Sequence, residues 1–250
     1  MAKSTQMGGN RTGMSRSPAH SKEMVSGAQE LTRPGRTNGQ SMAVIDKEYI
    51  RESERIGSMP MPDTVRGALK SGMEKMTGHN PEVFLNKLGE RLAFERTGVR
   101  LYESVITKVE AADDRHPAGP VTASGLKEIR DEEEQHFRLL KDAIESMGAD
   151  PTAQTPDADV SGVAAMGIQQ VLNDPRTSVA HSLQMLLILE LTDNAAWETL
   201  IRLADDLGLD ELSPQFERAK IQEDEHLERV KTWYEAMVMS EAGSRPAANA

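Results

Sequence analysis

The chain has 250 residues, of which 38% are hydrophobic and 4% aromatic, with a formal net charge of −11 and no cysteine. Such a length allows one or two domains, and so few aromatics suit helices cored by Leu, Ile, Val and Ala better than a sheet protein. The lack of cysteine excludes disulfides, zinc-thiolate sites, cysteine-ligated iron–sulfur centres and thiol catalysis.

The charge is unevenly spread. Residues 1–80 carry twelve Lys/Arg against eight Asp/Glu, and residues 81–250 carry seventeen against thirty-two. An acidic body argues against a nucleic-acid-binding core, and a mildly basic tail reads as solvated chain. No apolar run reaches the ~18–20 residues of a membrane span, and the first residues show no apolar signal core. The expectation is a soluble cytoplasmic protein with no membrane and no nucleic-acid partner.

In chain order, residues 1–45 are rich in Gly, Ser, Thr, Asn, Arg and Met. They have too little apolar surface to offset ordering entropy, and are expected to be disordered. Residues 46–56 are charged and fit a short exposed helix. The run Gly57-Ser58-Met59-Pro60-Met61-Pro62 breaks it, and a weak helical pattern follows from Thr64 to Met76. This extension, residues 1–80, is expected to be largely irregular. Asn80-Pro81 then starts a helix running to about Ala112. After the Asp113–Pro120 loop, a second helix spans about Thr122 to Met147, with Gly148 as its stop. A long connection follows, with a short helix near Val160 to Leu172. A third helix runs from after Pro175 to about Leu207. Ser213-Pro214 caps a fourth, running to about Ser240, and residues 241–250 are expected to fray. The layout is all-α: two antiparallel hairpins joined by a long crossover, a four-helix bundle over residues 81–240.

Each long helix has an apolar stripe alternating in steps of three and four. The stripes read Leu85, Leu88, Leu92, Glu95, Val99, Tyr102, Ile106, Val109; Leu126, Ile129, Glu133, His136, Leu140, Ala143, Met147; Val179, Leu183, Leu186, Glu190, Asp193, Trp197, Leu200, Ala204; and Phe216, Ala219, Glu223, His226, Val230, Trp233, Met237. Every stripe is interrupted near its middle by a carboxylate, and two also by a histidine. A buried carboxylate costs several kcal/mol unless it is paired or ligates a metal. Arg91, Arg96, Lys127, Arg130, Arg202, Lys220 and Arg229 all fall off the stripes as written, so the central glutamates call for metal ions.

Glu133-Glu134-Gln135-His136 and Glu223-Asp224-Glu225-His226 place Glu and His one turn apart on one face. With Glu95 and Glu190 they form a set of four carboxylates and two imidazoles, suited to two Fe or Mn ions. Asp193 is either a seventh ligand or a hydrogen-bonding neighbour of the ligands. Tyr102 and Trp197 are read as packing residues. Glu132 and Gln222, each one turn before a ligand histidine, are the candidates to hold its other ring nitrogen. His20, His79, His116 and His181 have no partner at ligand spacing.

Over about residues 82–238 the sequence resembles the ferritin-like superfamily of two-metal carboxylate proteins. It is most similar to the rubrerythrin and bacterioferritin branch, in which both halves carry Glu-x-x-His. The stretch Leu92-Ala-Phe-Glu95-Arg-Thr-Gly-Val-Arg-Leu-Tyr102 is similar to the first ligand helix of that branch, where Tyr follows Glu by seven residues. Glu190 and Asp193 are similar to its third helix, where a second carboxylate trades places with histidine as a ligand. Storage ferritins, which usually lack the second Glu-x-x-His, match less well. The chain also departs from rubrerythrins, having no cysteine-ligated iron module, and shows no methionine placed to ligate haem between subunits.

The resemblance implies an oxidoreductase acting on peroxide or dioxygen, with Fe(II) as a further substrate and an external electron donor if it is a reductase. The alternatives are non-enzymatic iron binding or storage, and a structural stress-associated bundle. A monomer or homodimer fits the enzymatic reading, and a 12- or 24-subunit cage fits storage.

Overall fold

The computed structural model describes residues 18–31, 42–53, 56–57, 81–113 and 118–243. Their regular elements are seven helices, with no strand among the described residues. None of these helices is long and apolar enough to cross a membrane. The chain divides into two units, Met1–Arg55 and Ile56–Ala250.

The first unit holds α1 (Pro18–Leu31) and α2 (Met42–Glu52). Neither helix buries any described side chain, and Val25, Tyr49 and Ile50 are all exposed. Helices therefore stand at 18–31 and 42–52, in a stretch whose composition offers few apolar residues for a core. The weak helical pattern at Thr64–Met76, Asn80, His79 and His116 lie outside the described residues.

The second unit holds α3 (Pro81–Glu110), α4 (Ala123–Ser146), α5 (Pro156–Asn173), α6 (Val179–Asp206) and α7 (Ser213–Glu241). Their ends follow local chemistry. Thr122 Oγ1 accepts from Gly125 N, and Ser178 and His181 form a reciprocal capping box that gives His181 a structural role. Gly148 and Gly208 take positive φ after α4 and α6, and each closes a Schellman turn: Ala149 N donates to Ile144 O, and Leu209 N to Ala204 O. Ser213 does not cap α7 as expected. Leu212 already has helical dihedrals, so Ser213 falls inside the first turn and the tight 209–212 turn feeds the helix directly.

Helix α3 packs on α4, α5 and α6; α7 packs on α6 and α4; and α5 also touches α6. Two apolar clusters form. One joins the C-terminal parts of α3 and α7 to the N-terminal parts of α4 and α6, through Leu101, Val105, Leu126, Leu183 and Val230. The other joins the opposite ends, through Leu88, Leu92, Leu140, Leu200 and Phe216. Thus α3 and α7 run one way and α4 and α6 the other. Because α4 and α6 are parallel, the chain must cross the length of the assembly between them, which α5 does. The start of α5 is pinned to α3 by Asp157 N donating to Asn86 Oδ1 at 3.1 Å and by the Lys87–Asp157 ion pair at 2.7 Å.

The stripes of α4 and α6 are buried at every position, and that of α7 everywhere except half-buried Trp233. On α3 the buried side is wider than one stripe. Phe84, Arg91, Phe94, Gly98, Leu101 and Val105 are buried, while Leu85, Val99 and Val109 are only half-buried. Three helices pack on α3, so more than one column of its side chains is enclosed.

Candidate metal centre

Between the two apolar clusters lies a layer of charge. Glu95 of α3, Glu133 and His136 of α4, Glu190 of α6, and Glu223 and His226 of α7 are all buried, each at 2% exposure or less. Their ligating atoms fall into two groups, Glu95–Glu133–His136–Glu223 and Glu133–Glu190–Glu223–His226, with all atoms of a group within 4.8 Å of one another. Glu133 and Glu223 belong to both groups. The two Glu-x-x-His turns thus supply the shared carboxylates, while Glu95 and Glu190 each serve one end.

The polar atoms converge without satisfying one another. Both oxygens of Glu95, Glu133 and Glu223, Oε2 of Glu190, and Nδ1 of both histidines have no hydrogen-bond partner. Nδ1 of His136 lies 2.6 Å from Glu223 Oε1, and Nδ1 of His226 lies 3.3 Å from Glu223 Oε2 and 3.6 Å from Glu133 Oε1. Leaving so many buried lone pairs unmet would cost about 1–3 kcal/mol for each group. A cation in each group meets them together, so the donor set fits metal ions. Carboxylate oxygens with one imidazole per position suit hard to borderline divalent ions.

The histidines are aimed by their outer nitrogens. His136 Nε2 faces Gln222 Oε1 at 3.0 Å, and His226 Nε2 faces Glu132 Oε2 at 2.7 Å. Gln222 Nε2 in turn donates to Glu132 Oε1 at 3.3 Å. Glu132 and Gln222 are the residues expected from the sequence, but each holds the histidine of the opposite helix. Both oxygen partners fix the proton on Nε2 and leave Nδ1 as the inward ligand atom.

Asp193 belongs to neither group. It is buried and ion-paired with Arg91, which is likewise buried at 1% exposure. This corrects the reading of Arg91 as lying off the core. Arg91 stands four residues before Glu95 and shares its face, a spacing visible in the sequence. Its guanidinium stacks over Phe94, 3.8 Å from the ring centroid. Asp193 is the first electrostatic partner of Arg91, with Glu95 next, so Arg91 offsets the charge of the four glutamates only in part.

Tyr102 does more than pack, because its hydroxyl donates to Glu190 Oε1. Trp197 packs edge-on to His136, with ring centroids 5.5 Å apart. The α3 backbone at Gly98 lies close against the Glu133 carboxylate. A Cβ there would lie 2.9 Å from Glu133 Oε2, so only glycine leaves the carboxylate its place.

Without cations, protons take up the charge. Burial, then the neighbouring carboxylates Asp193, Glu133 and Glu223, raise the Glu95 pKa well above its ordinary value. Burial and like charge do the same at Glu133 and Glu190. Burial also raises Asp193, to about 7, with Arg91 pulling against it. At Glu223 burial is overcome by the two imidazoles, and its pKa falls to about 2. Burial opposes charge on His136 and His226, yet Glu223 prevails and both rise to about 9.

No family model, curated protein or solved structure matches the chain.

Proposed function

We propose that this protein holds two iron or manganese ions in a ferritin-like four-helix bundle, and that it is an oxidoreductase acting on peroxide or dioxygen. The observation that carries this reading is the pair of overlapping ligand groups sharing Glu133 and Glu223. Two groups with two common carboxylates call for two neighbouring cations, and four carboxylates with two neutral imidazoles balance two divalent charges. The helix directions and the α5 crossover agree with the ferritin-like layout.

When bound, such a pair of ions would supply the redox chemistry and a Lewis-acid site for dioxygen or peroxide. The chain supplies the rest. Glu95, Glu133, Glu190, Glu223, His136 and His226 bind the ions. Glu132 and Gln222 orient the imidazoles, Tyr102 holds a proton at Glu190 Oε1, and the two apolar clusters exclude water. With no cysteine in the chain, peroxide reduction would draw electrons from an external donor.

Protein purified without chelator and reconstituted with Fe(II) or Mn(II) is expected to bind two ions per chain, and to consume H2O2 or oxidise Fe(II) with dioxygen. A double variant, Glu133→Ala with Glu223→Ala, is the control. Fewer than one ion per two chains would remove the metal reading. Full loading with no turnover above the control would remove the oxidoreductase reading and leave metal binding.

A further inference from the structure

The two halves of the centre match in their inward ligands, one Glu and one His at each end with two shared carboxylates. They differ in what stands behind the histidines. His226 is backed by the carboxylate of Glu132 at 2.7 Å, and His136 by the amide of Gln222 at 3.0 Å. A carboxylate accepting from Nε2–H pushes electron density onto the ring and makes Nδ1 a stronger donor to a cation, whereas a neutral amide does so weakly.

We propose that Glu132 makes the two metal positions unequal, so that the position of Glu190 and His226 fills first and holds its ion more tightly than that of Glu95 and His136. This inference rests on the two-metal reading above and adds to it an order of occupation and the residue that sets it. Glu132 is a positioning residue: it acts through His226, and its own side chain, 32% exposed, lies at the edge of the buried layer.

Three neighbouring features bear on the balance. Arg91 precedes Glu95 by one helical turn and has it as its next electrostatic partner after Asp193, so its fixed positive charge bears on the Glu95–His136 position. Its pairing with Asp193 reduces that field, and whatever remains disfavours a cation there. Against this, Tyr102 donates to Glu190 and draws density from the other position. It occupies only Oε1, however, and leaves Oε2 of Glu190 without a partner and open to an ion. A neutral phenol on one oxygen is a weaker influence than a full carboxylate charge on the imidazole, so the Glu132 effect decides the order.

The outer ring also gives the test its logic. Gln222 and Glu132 touch each other at 3.3 Å, and their side chains differ only in an amide for a carboxylate. Exchanging them, Glu132→Gln with Gln222→Glu, moves the charge from behind His226 to behind His136 with the atoms of the ring otherwise kept. A structural role alone would not reverse anything under this exchange.

Titration of the metal-free protein with Mn(II), followed by calorimetry and by equilibrium dialysis, is expected to show two steps separated by at least about tenfold in affinity. His226→Ala removes the tight step and His136→Ala the weak one. Glu132→Gln brings the two steps together, and the exchange variant makes the tight step depend on His136 instead. Thermal melts of each metal-free variant establish that it is folded. If both steps are present but the tight one is lost in His136→Ala, or if the exchange leaves the order unchanged, the inference is overturned while the two-metal reading stands. If the parent binds no Mn(II) or Fe(II), the two-metal reading fails, and this inference with it.

Discussion

Oε1 of Glu223 lies 2.6 Å from Nδ1 of His136, although the two residues belong to different helices, α7 and α4. In the metal-free protein a protonated His136 faces the Glu223 carboxylate with the positive charge a cation would bring. The same carboxylate reaches His226 through its other oxygen. Protons and metal ions would therefore compete for one set of lone pairs, which would tie both stability and metal binding to pH.

The direction for the metal-free protein follows from linkage. Glu95, Glu133 and Glu190 have pKa values raised by burial and like charge, so each binds its proton more tightly when folded. Stability is then gained as pH falls through those raised values. His136 and His226, raised to about 9 against an ordinary 6.5, contribute stability that is fully present below 6.5 and lost as pH rises through about 9. Glu223 has the opposite sign, but with its pKa lowered from 4.5 to about 2 it acts only on the acid side of the ordinary carboxylate value. Between about pH 5 and pH 9 the terms add. Urea unfolding in the presence of chelator is therefore expected to give a higher midpoint near pH 5 than near pH 8. A midpoint that rises with pH across this range would show that the layer is not buried charge.

Added metal reverses the trend. Binding needs deprotonated ligands, so Fe(II) or Mn(II) is expected to release protons and to raise the melting temperature near pH 7 far more than near pH 5. At one hundred times Kd the stabilisation is about 2.7 kcal/mol, or roughly 5–10 °C for a domain of this size. Glu95→Leu removes one buried carboxyl group whose oxygens have no partner. It should stabilise the metal-free fold by about 1–3 kcal/mol and abolish most of the metal response. A leucine variant that melts lower without metal, yet responds to metal like the parent, would place Glu95 outside the ligand set.

Much of this arrangement is legible in the sequence, for a physical reason. On α4 and α6 every stripe position is buried, Glu133, His136 and Glu190 included, although Ile144 of α4 and Ala180, Ser182, Leu189 and Asn194 of α6 are enclosed beside the stripes. On α3 three neighbouring helices enclose a broader face, and a one-column reading misses Phe94, Gly98 and Arg91. The spacing of Arg91 to Glu95 carried the missing signal. What no single helix reveals is the pairing across helices. Glu132 and Gln222 stand one turn before a histidine in their own helix, but the side chain of each crosses between α4 and α7 to the other. Likewise, whether Asp193 faces an ion or Arg91 depends on the rotation of α6 against α3, which periodicity within α6 does not fix.

The Arg91–Asp193 pair yields its own test. Both side chains are 1% exposed, so removing one strands the other's charge. Arg91→Met should cost about 3–5 kcal/mol, whereas adding Asp193→Leu should restore most of that loss, since hydrophobic replacement of a buried ion pair is often neutral. Chemical denaturation of the four members of this cycle measures the coupling. Additive losses, with no recovery in the double variant, would show that the two charges do not depend on each other.

Gly98 separates the demands of the fold from those of the site. In a helix interior alanine is favoured over glycine by about 1 kcal/mol. Gly162 of α5, where a Cβ meets nothing within 4 Å, should show that gain and no change in metal binding on substitution by alanine. At Gly98 the Cβ would stand 2.9 Å from Glu133 Oε2, closer than such atoms come, so the carboxylate must turn aside. Glu133 belongs to both ligand groups, and a displaced Glu133 weakens both positions together. Gly98→Ala is therefore expected to keep metal-free stability within about 1 kcal/mol of the parent, the helical gain offsetting part of the crowding. Its affinity for both ions should fall, and the metal-induced rise in melting temperature should shrink. Thermal melts with and without Mn(II), run beside Gly162→Ala, measure the two effects separately. If Gly98→Ala binds metal like the parent, then the approach of α3 to Glu133 does not set the ligand geometry, and Glu133 has room that this structure does not give it.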